Sequence, residues 1–123
     1  MSLNLEVNLG GLVMPNPVTD ASGTFAAGRE YSDFVDVSRM GAVTTKGVSL
    51  NGWEGNDSPR IAETPSGMLN SIGLQNPGVK HLCEVDLPWI KAQGVPSIVN
   101  VSGHTLDEYV QVIERLEDEP GVA

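Results

Sequence analysis

The strongest hydrophobic periodicity lies near the carboxyl-terminal end of the chain. Leu106, Tyr109, Val110, Ile113 and Leu116 recur at the i, i+3, i+4, i+7 spacing of one helix face. Thr105 stands where an N-cap belongs, and Glu108 three residues later completes a capping box. Pro120-Gly121 stops this helix, and Val122-Ala123 reads as the first step into another strand. A second helical pattern covers Glu30–Met40, with Tyr31, Phe34, Val35 and Val37 on one side and Gly41 in the C′ position. Strand patterns are shorter. Leu3–Asn8 alternates apolar and polar residues, and Gly10-Gly11 turns the chain into Leu12–Met14, which predicts a β-hairpin. Val18–Ala21, Ala42–Thr45 and Pro96–Val101 read as strands, and Val79–Cys83 and Pro88–Ala92 as short helical pieces.

The order is a hairpin followed by about three β-loop-α units. Alternating strands and helices predict an α/β fold with a parallel sheet and right-handed crossovers. A sheet of three buried parallel strands is unfinished, so residues 1–123 are expected to be one part of a larger α/β enzyme. The stretch from Val48 to Asn76 reads as mostly loop, rich in Gly, Asn, Ser and Pro. Connections of that length inside a compact protein are usually functional.

Composition narrows the partners. A net charge of −9 argues against nucleic acid or an anionic membrane surface as the main partner, because like charges repel. No apolar run approaches the ~20 residues of a membrane span. The amino-terminal residues carry no signal-peptide pattern, so a cytoplasmic location is expected. Cys83 is the single cysteine, which leaves no disulfide framework, and its place in a helical pattern between Leu82 and Glu84 suits a packed structural thiol. His81 and His104 lack metal-ligand spacing, and neither the dinucleotide glycine fingerprint nor a P-loop is present.

Candidate chemistry gathers at strand ends, where parallel α/β proteins place functional groups. The first strand runs into Ser22-Gly23, the second into Lys46-Gly47, and the third into Asn100. Each has a structural explanation when taken singly: a turn serine, a solvated loop lysine, a turn-capping asparagine. At equivalent strand ends they offer a hydrogen-bonding hydroxyl, a cation and an amide edge suited to a heterocycle. The segment Asn70-Ser71-Ile72-Gly73-Leu74-Gln75-Asn76-Pro77-Gly78 adds amides and backbone groups able to meet a planar polar ligand. On composition alone it is equally a surface loop.

Several separated blocks then carry a family resemblance. Asn16-Pro17, Ala21-Ser22-Gly23-Thr24-Phe25, Gly28-Arg29-Glu30-Tyr31, Thr45-Lys46-Gly47, Gly55-Asn56, Pro59-Arg60, Glu63–Met68, Leu69–Gly78 and Val99–Gly103 together resemble class 1 dihydroorotate dehydrogenase. The likeness is greatest to the NAD-linked, heteromeric class 1B catalytic subunit. It implies an FMN-dependent (β/α)8 TIM barrel that oxidises (S)-dihydroorotate to orotate in pyrimidine biosynthesis. Residues 1–123 would be its N-terminal part. By the same resemblance Ser22, Lys46, Gly47 and Asn100 contact FMN, and Lys46 also lies beside the substrate. Asn70, Ser71, Ile72, Gly73 and Leu74 bind the orotate ring and carboxylate.

The family's general base, a cysteine in the fourth βα loop, has no counterpart here, and Cys83 does not sit in that motif. No catalytic residue is therefore expected within residues 1–123, which are expected to be a fragment inactive alone. The resemblance further implies an oligomer and a partner subunit that carries FAD and a 2Fe–2S cluster and passes electrons to NAD. Two other readings stay open at this point. One is a related flavin barrel acting on uracil-type pyrimidines; the other is a truncated, non-catalytic barrel remnant.

Overall fold

The computed structural model describes residues 3–123. The amino-terminal hairpin forms around Gly10-Gly11 from β1 (Val7–Leu9) and β2 (Leu12–Met14), paired antiparallel with Val7 opposite Met14, whereas residues 3–6 of the expected first strand stay unpaired. Beyond it, four chain segments run parallel and side by side. Thr19 bridges Ala42, β3 (Val43–Thr44) pairs with β6 (Ser97–Ile98), and Ser97 bridges Val122. Backbone hydrogen bonds carry the ladder: Gly41 N donates to Val18 O (2.8 Å), Thr45 N to Ile98 O (2.9 Å) and Val99 N to Ala123 O (3.0 Å). Asp20 joins it by its side chain, Oδ1 accepting from Thr44 N at 2.7 Å. The expected strands Val18–Ala21 and Val122-Ala123 are thus present as isolated bridges in the right order.

The helix expected over Glu30–Met40 does not form. Two 3-10 turns, Arg29–Tyr31 and Val37–Arg39, take its place, and Tyr31, Phe34 and Val35 are exposed. Local side chains intercept the backbone groups an α-helix needs. Asp36 Oδ1 accepts from Ser38 N (3.2 Å) and Ser38 Oγ (2.6 Å), and Ser32 Oγ donates to Arg29 O (2.7 Å). Gly41 is accordingly no helix cap. It lies so close to the Asn16 carbonyl that no side chain fits there.

The two short helical pieces expected after the long loop are one continuous helix. α1 (Val79–His81) passes through a π turn at Leu82–Asp86 into α2 (Leu87–Ala92). Val79, Leu82, Cys83, Leu87 and Ile90 are buried along it, at near-helical spacing. This helix contributes to two apolar clusters. Val48, Val79, Leu82, Cys83, Leu87, Val112 and Leu116 form one; Ala27, Val37, Val43, Ile90 and Val95 form the other. Burial pushes the Cys83 thiol above its usual pKa, and the neighbouring Glu119 carboxylate adds to the effect.

The carboxyl-terminal helix α3 spans Leu106–Leu116, with Thr105 Oγ1 accepting from Glu108 N at 3.3 Å as the N-cap half of the capping box, while the Glu108 carboxylate reaches one residue further back and accepts from His104 N. The buried face of α3 shares only Leu116 with the predicted stripe. Val112 and Leu116 pack inward, while Leu106, Tyr109, Val110 and Ile113 are exposed. Periodicity identifies an apolar face, but the α1–α2 helix and the strands meet α3 on another side.

The stretch from Val48 to Asn76 is also more ordered than its composition implies. It contains a second antiparallel hairpin, β4 (Ile61–Thr64) and β5 (Gly67–Asn70), with Ile61 opposite Asn70 and every residue exposed. No helix of the described residues is long and apolar enough to cross a membrane.

Two outcomes follow from this packing. Val112→Ala, at a site with no solvent exposure, is expected to lower unfolding free energy by about 2 kcal/mol in equilibrium denaturation. Val110→Ala on the exposed face should change it by less than about 0.5 kcal/mol. Equal effects would contradict the assigned orientation of α3. A raised thiol pKa means less thiolate at any given pH, so Cys83 in the native state should alkylate roughly 100-fold more slowly than in denaturant at pH 8. Comparable rates would show that Cys83 is not packed in the core.

Candidate functional site

Because the strands are parallel, their carboxyl ends emerge along one edge, and three of the expected groups meet there. Ser22 Oγ donates to Thr45 O at 2.7 Å, and Asn100 Nδ2 donates to Ser22 Oγ at 2.8 Å. Asn100 N donates to Thr45 Oγ1 at 3.3 Å. Three strand ends are thereby tied into one polar network, with Thr45 fully buried beneath it. Thr45 escaped the sequence reading, although its place just before Lys46 at a strand end is the signal that marks it. The amide oxygen of Asn100 accepts no hydrogen bond among the described residues.

Lys46 follows directly. Its backbone N–H donates to Ala26 O at 3.2 Å, and Ala26 holds the left-handed φ of 50°. Its side chain lies along Gly23, where a Cβ would come within 3.4 Å of Nζ. Among the described residues the one base–carboxylate contact at salt-bridge distance joins His81 and Asp86, so the Lys46 ammonium faces no carboxylate at contact distance. Gly47 occupies a closer junction. A Cβ there would lie 3.0 Å from Ser102 Oγ, 3.2 Å from Leu74 Cδ1 and 3.7 Å from Asn100 Nδ2. The absence of a side chain at Gly47 therefore lets Ser102, Leu74 and Asn100 close in on the backbone at this strand end.

The loop reaches this edge through Leu74, another non-glycine residue with left-handed φ (55°). Such conformations cost about 1 kcal/mol or more and need surrounding structure to hold them. Asn76 supplies much of that hold. Its Oδ1 accepts from Ser49 N (3.1 Å), Ser49 Oγ (3.0 Å) and Gly78 N (3.0 Å), and its Nδ2 donates to Leu74 O (3.0 Å). Its backbone pairs reciprocally with Trp53. Asn76 is buried with every polar atom satisfied, which makes it a structural anchor for the loop.

The remaining loop residues stand apart from the strand-end network. Asn70 ends β5 and is exposed, Ser71 N donates to Arg60 O at 2.8 Å, and Ile72 is half-buried. No hydrogen bond links Asn70 or Ser71 to Ser22, Lys46 or Asn100 among the described residues. The loop therefore meets the strand ends at Leu74 and Gly47 and presents Asn70–Gly73 as a separate polar rim.

A cleft of about 330 Å³ opens beside Lys46, bounded by Gly23, Gly47, Gln75, His81 and Asp86. Burial pushes the Asp86 carboxyl above its usual pKa, against the opposing pull of His81 and Arg29. His81 Nε2 lies 3.8 Å from Asp86 Oδ1. The strand-end edge offers the Lys46 cation and the free amide oxygen of Asn100, and the cleft beside Lys46 also receives Glu30 and Asp86. That set suits a planar, electron-rich or anionic heterocycle.

Comparison with known proteins bears on which family uses such an arrangement. The family model described as "Dihydroorotate dehydrogenase" matches residues 4–122. Among curated relatives, the "Dihydroorotate dehydrogenase B (NAD(+)), catalytic subunit" of Lachnoclostridium phytofermentans is 56% identical over 117 residues, covering 95% of this chain and 39% of the relative. The subunit of the same name from Desulforamulus reducens is 53% identical over 123 residues, covering 100% of this chain and 40% of the relative. That from Alkaliphilus metalliredigens is 50% identical over 116 residues, covering 94% of this chain and 38% of the relative. The chain thus spans about two fifths of the length of the curated relatives it matches. With the family match running almost from end to end, the chain belongs to the dihydroorotate dehydrogenase family.

Proposed function

We propose that residues 1–123 form the N-terminal part of the (β/α)8 barrel of an NAD-linked dihydroorotate dehydrogenase catalytic subunit. In this reading the chain supplies one wall of a site that oxidises (S)-dihydroorotate to orotate with FMN. The observation that carries it is the meeting of Ser22, Lys46, Gly47 and Asn100 on one edge of four parallel segments. A sheet of successive parallel strands with helices in the crossovers is how such a barrel begins.

The residues present fit a flavin. The cleft lined by Gly23, Lys46 and Gly47 gives a ring edge access to the backbone, the free amide oxygen of Asn100 can accept from a ring N–H, and Lys46 brings an unpaired positive charge. Ser22, Lys46, Gly47 and Asn100 would hold FMN, which when bound supplies hydride acceptance. Lys46 steadies the negative charge that develops as the substrate loses a proton and a hydride from adjacent carbons. Its alkyl stem, set against Gly23, limits where the ammonium can go. Asn70 and Ser71–Leu74 hold the ring and carboxylate of the substrate, with backbone and amide donors fixing its plane. The group that removes the substrate proton belongs, in this reading, to the part of the relatives' length that this chain does not span.

The relatives' designation as catalytic subunits that use NAD(+) supports a partner for electron transfer. We assign that partner FAD and a 2Fe–2S cluster, and an oligomeric, cytoplasmic assembly, on the family resemblance. In the full-length protein with its partner, Lys46→Ala is expected to lower kcat/KM for dihydroorotate by at least about 100-fold. The measurement is orotate formation, with uracil reduction assayed in parallel. Wild-type protein that reduces uracil and leaves dihydroorotate untouched would sink the assignment, as would a Lys46→Ala variant of undiminished rate.

A further inference from the structure

The polar rim Ser71–Gly73 is held by a residue from the opposite side of the β4–β5 hairpin. Asn56 Nδ2 donates both to Ser71 O (3.0 Å) and to Ser71 Oγ (3.0 Å). The Asn56 backbone N–H donates to Ile72 O at 2.9 Å. A Cβ at Gly73 would lie 2.8 Å from both Cγ and Oδ1 of Asn56, so the two residues are packed face to face. Gly55 is as close to the Ile72 carbonyl, which leaves no room for a side chain there either. Arg60 Nη1 donates to Glu54 O at 3.2 Å, and Arg60 O accepts from Ser71 N at 2.8 Å. Three successive loop residues are thus clamped by one asparagine and its neighbours.

We propose that Asn56 is a positioning residue that sets the conformation of Ser71–Gly73 and thereby the affinity for the substrate ring. This inference rests on the reading of Ser71–Leu74 as the substrate-facing segment. The side chain of Asn56 already spends its donors on Ser71, so it acts through the loop. The grip fixes two carbonyls, Ser71 O and Ile72 O, by directing them toward Asn56. With those carbonyls turned to Asn56, the adjoining peptide N–H groups are fixed in direction too, because each peptide unit is planar. A loop ordered before binding loses less conformational freedom when the ligand arrives. Asn56 should consequently affect ligand affinity more than the chemical step.

Asn56→Asp tests this in the full-length holoenzyme with its partner subunit. The substitution keeps size and shape, removes both side-chain donor hydrogens and turns a carboxylate toward the Ser71 carbonyl. The orotate dissociation constant by titration calorimetry should rise about tenfold, and KM for dihydroorotate in parallel. FMN content and melting temperature should match wild type, with kcat within about twofold. Unchanged orotate affinity would overturn the proposal. So would an equal loss of FMN and orotate, which would mark Asn56 as a folding residue. Should Asn56→Asp fail to fold, Asn56→Ser, which shortens the side chain without adding charge, is read against the same outcomes. If the wild-type holoenzyme binds FMN without binding orotate, the functional reading itself fails. A wild type that binds both beside an unaffected variant removes only the role of Asn56.

Discussion

Backbone hydrogen bonds hold the segments around Thr19, Ala42, Ser97 and Val122 in register and pointing the same way. Every other feature takes its position from that ladder. Parallel strands cannot be joined by tight turns, so each must be followed by a long excursion. Those excursions supply the turns at Arg29–Tyr31 and Val37–Arg39, the hairpin β4–β5 and the helix α1–α2. The excursions leave from one edge, and for that reason Ser22, Lys46, Gly47 and Asn100 share a neighbourhood although they are far apart in sequence. The residues within the ladder are small or β-branched. Ala42, Val43, Thr45 and Ser97 are all buried, which lets the helix on one side approach closely.

The long loop solves a different problem. Its hairpin is exposed along its whole length, so Ile61, Met68 and Leu69 do not pack it onto the rest of the chain. Side-chain amides take over from packing. Asn76 anchors the carboxyl-terminal end of the loop on Ser49 and Gly78, and Asn56 grips its middle at Ser71. An amide offers two donors and an acceptor on a short, stiff stem, so it can replace a strand neighbour for a backbone that has none. The presence of Asn56 and Asn76 in this stretch has that physical cause. The left-handed Leu74 between the two anchors is the conformational cost of bending the chain back to Gly47.

What could be read from the sequence were features with local causes. The capping box at Thr105 and Glu108 depends on residues three apart, and α3 begins where it predicts. The apolar runs at Ala42–Thr45 and Pro96–Val101 sit in the ladder, and family membership was legible in motifs spread over the whole chain. Features set by distant partners were not legible. The apolar stripe of α3 gave no sign that Val112, outside it, would be buried with Leu116 while the rest of the stripe stayed exposed, because periodicity does not say what lies opposite. The break in Glu30–Met40 came from Ser32 and Asp36, whose short side chains compete for backbone groups that apolar spacing ignores. The strand-end rule put Ser22, Lys46 and Asn100 on one edge, where the structure also has them. It did not reveal Thr45 as the residue that joins two of them, since that role appears only once the strands are aligned.

The hydrogen bond from Asn100 to Ser22 closes a loop of 78 residues. Closing so long a loop costs entropy that only the finished ladder offsets, so the polar network exists in the native topology and in no partly folded form of it. A ligand seated on this network would bind the native state alone. Its binding free energy would then add in full to the stability of the whole ladder, coupling occupancy of the strand ends to resistance of the chain against unfolding.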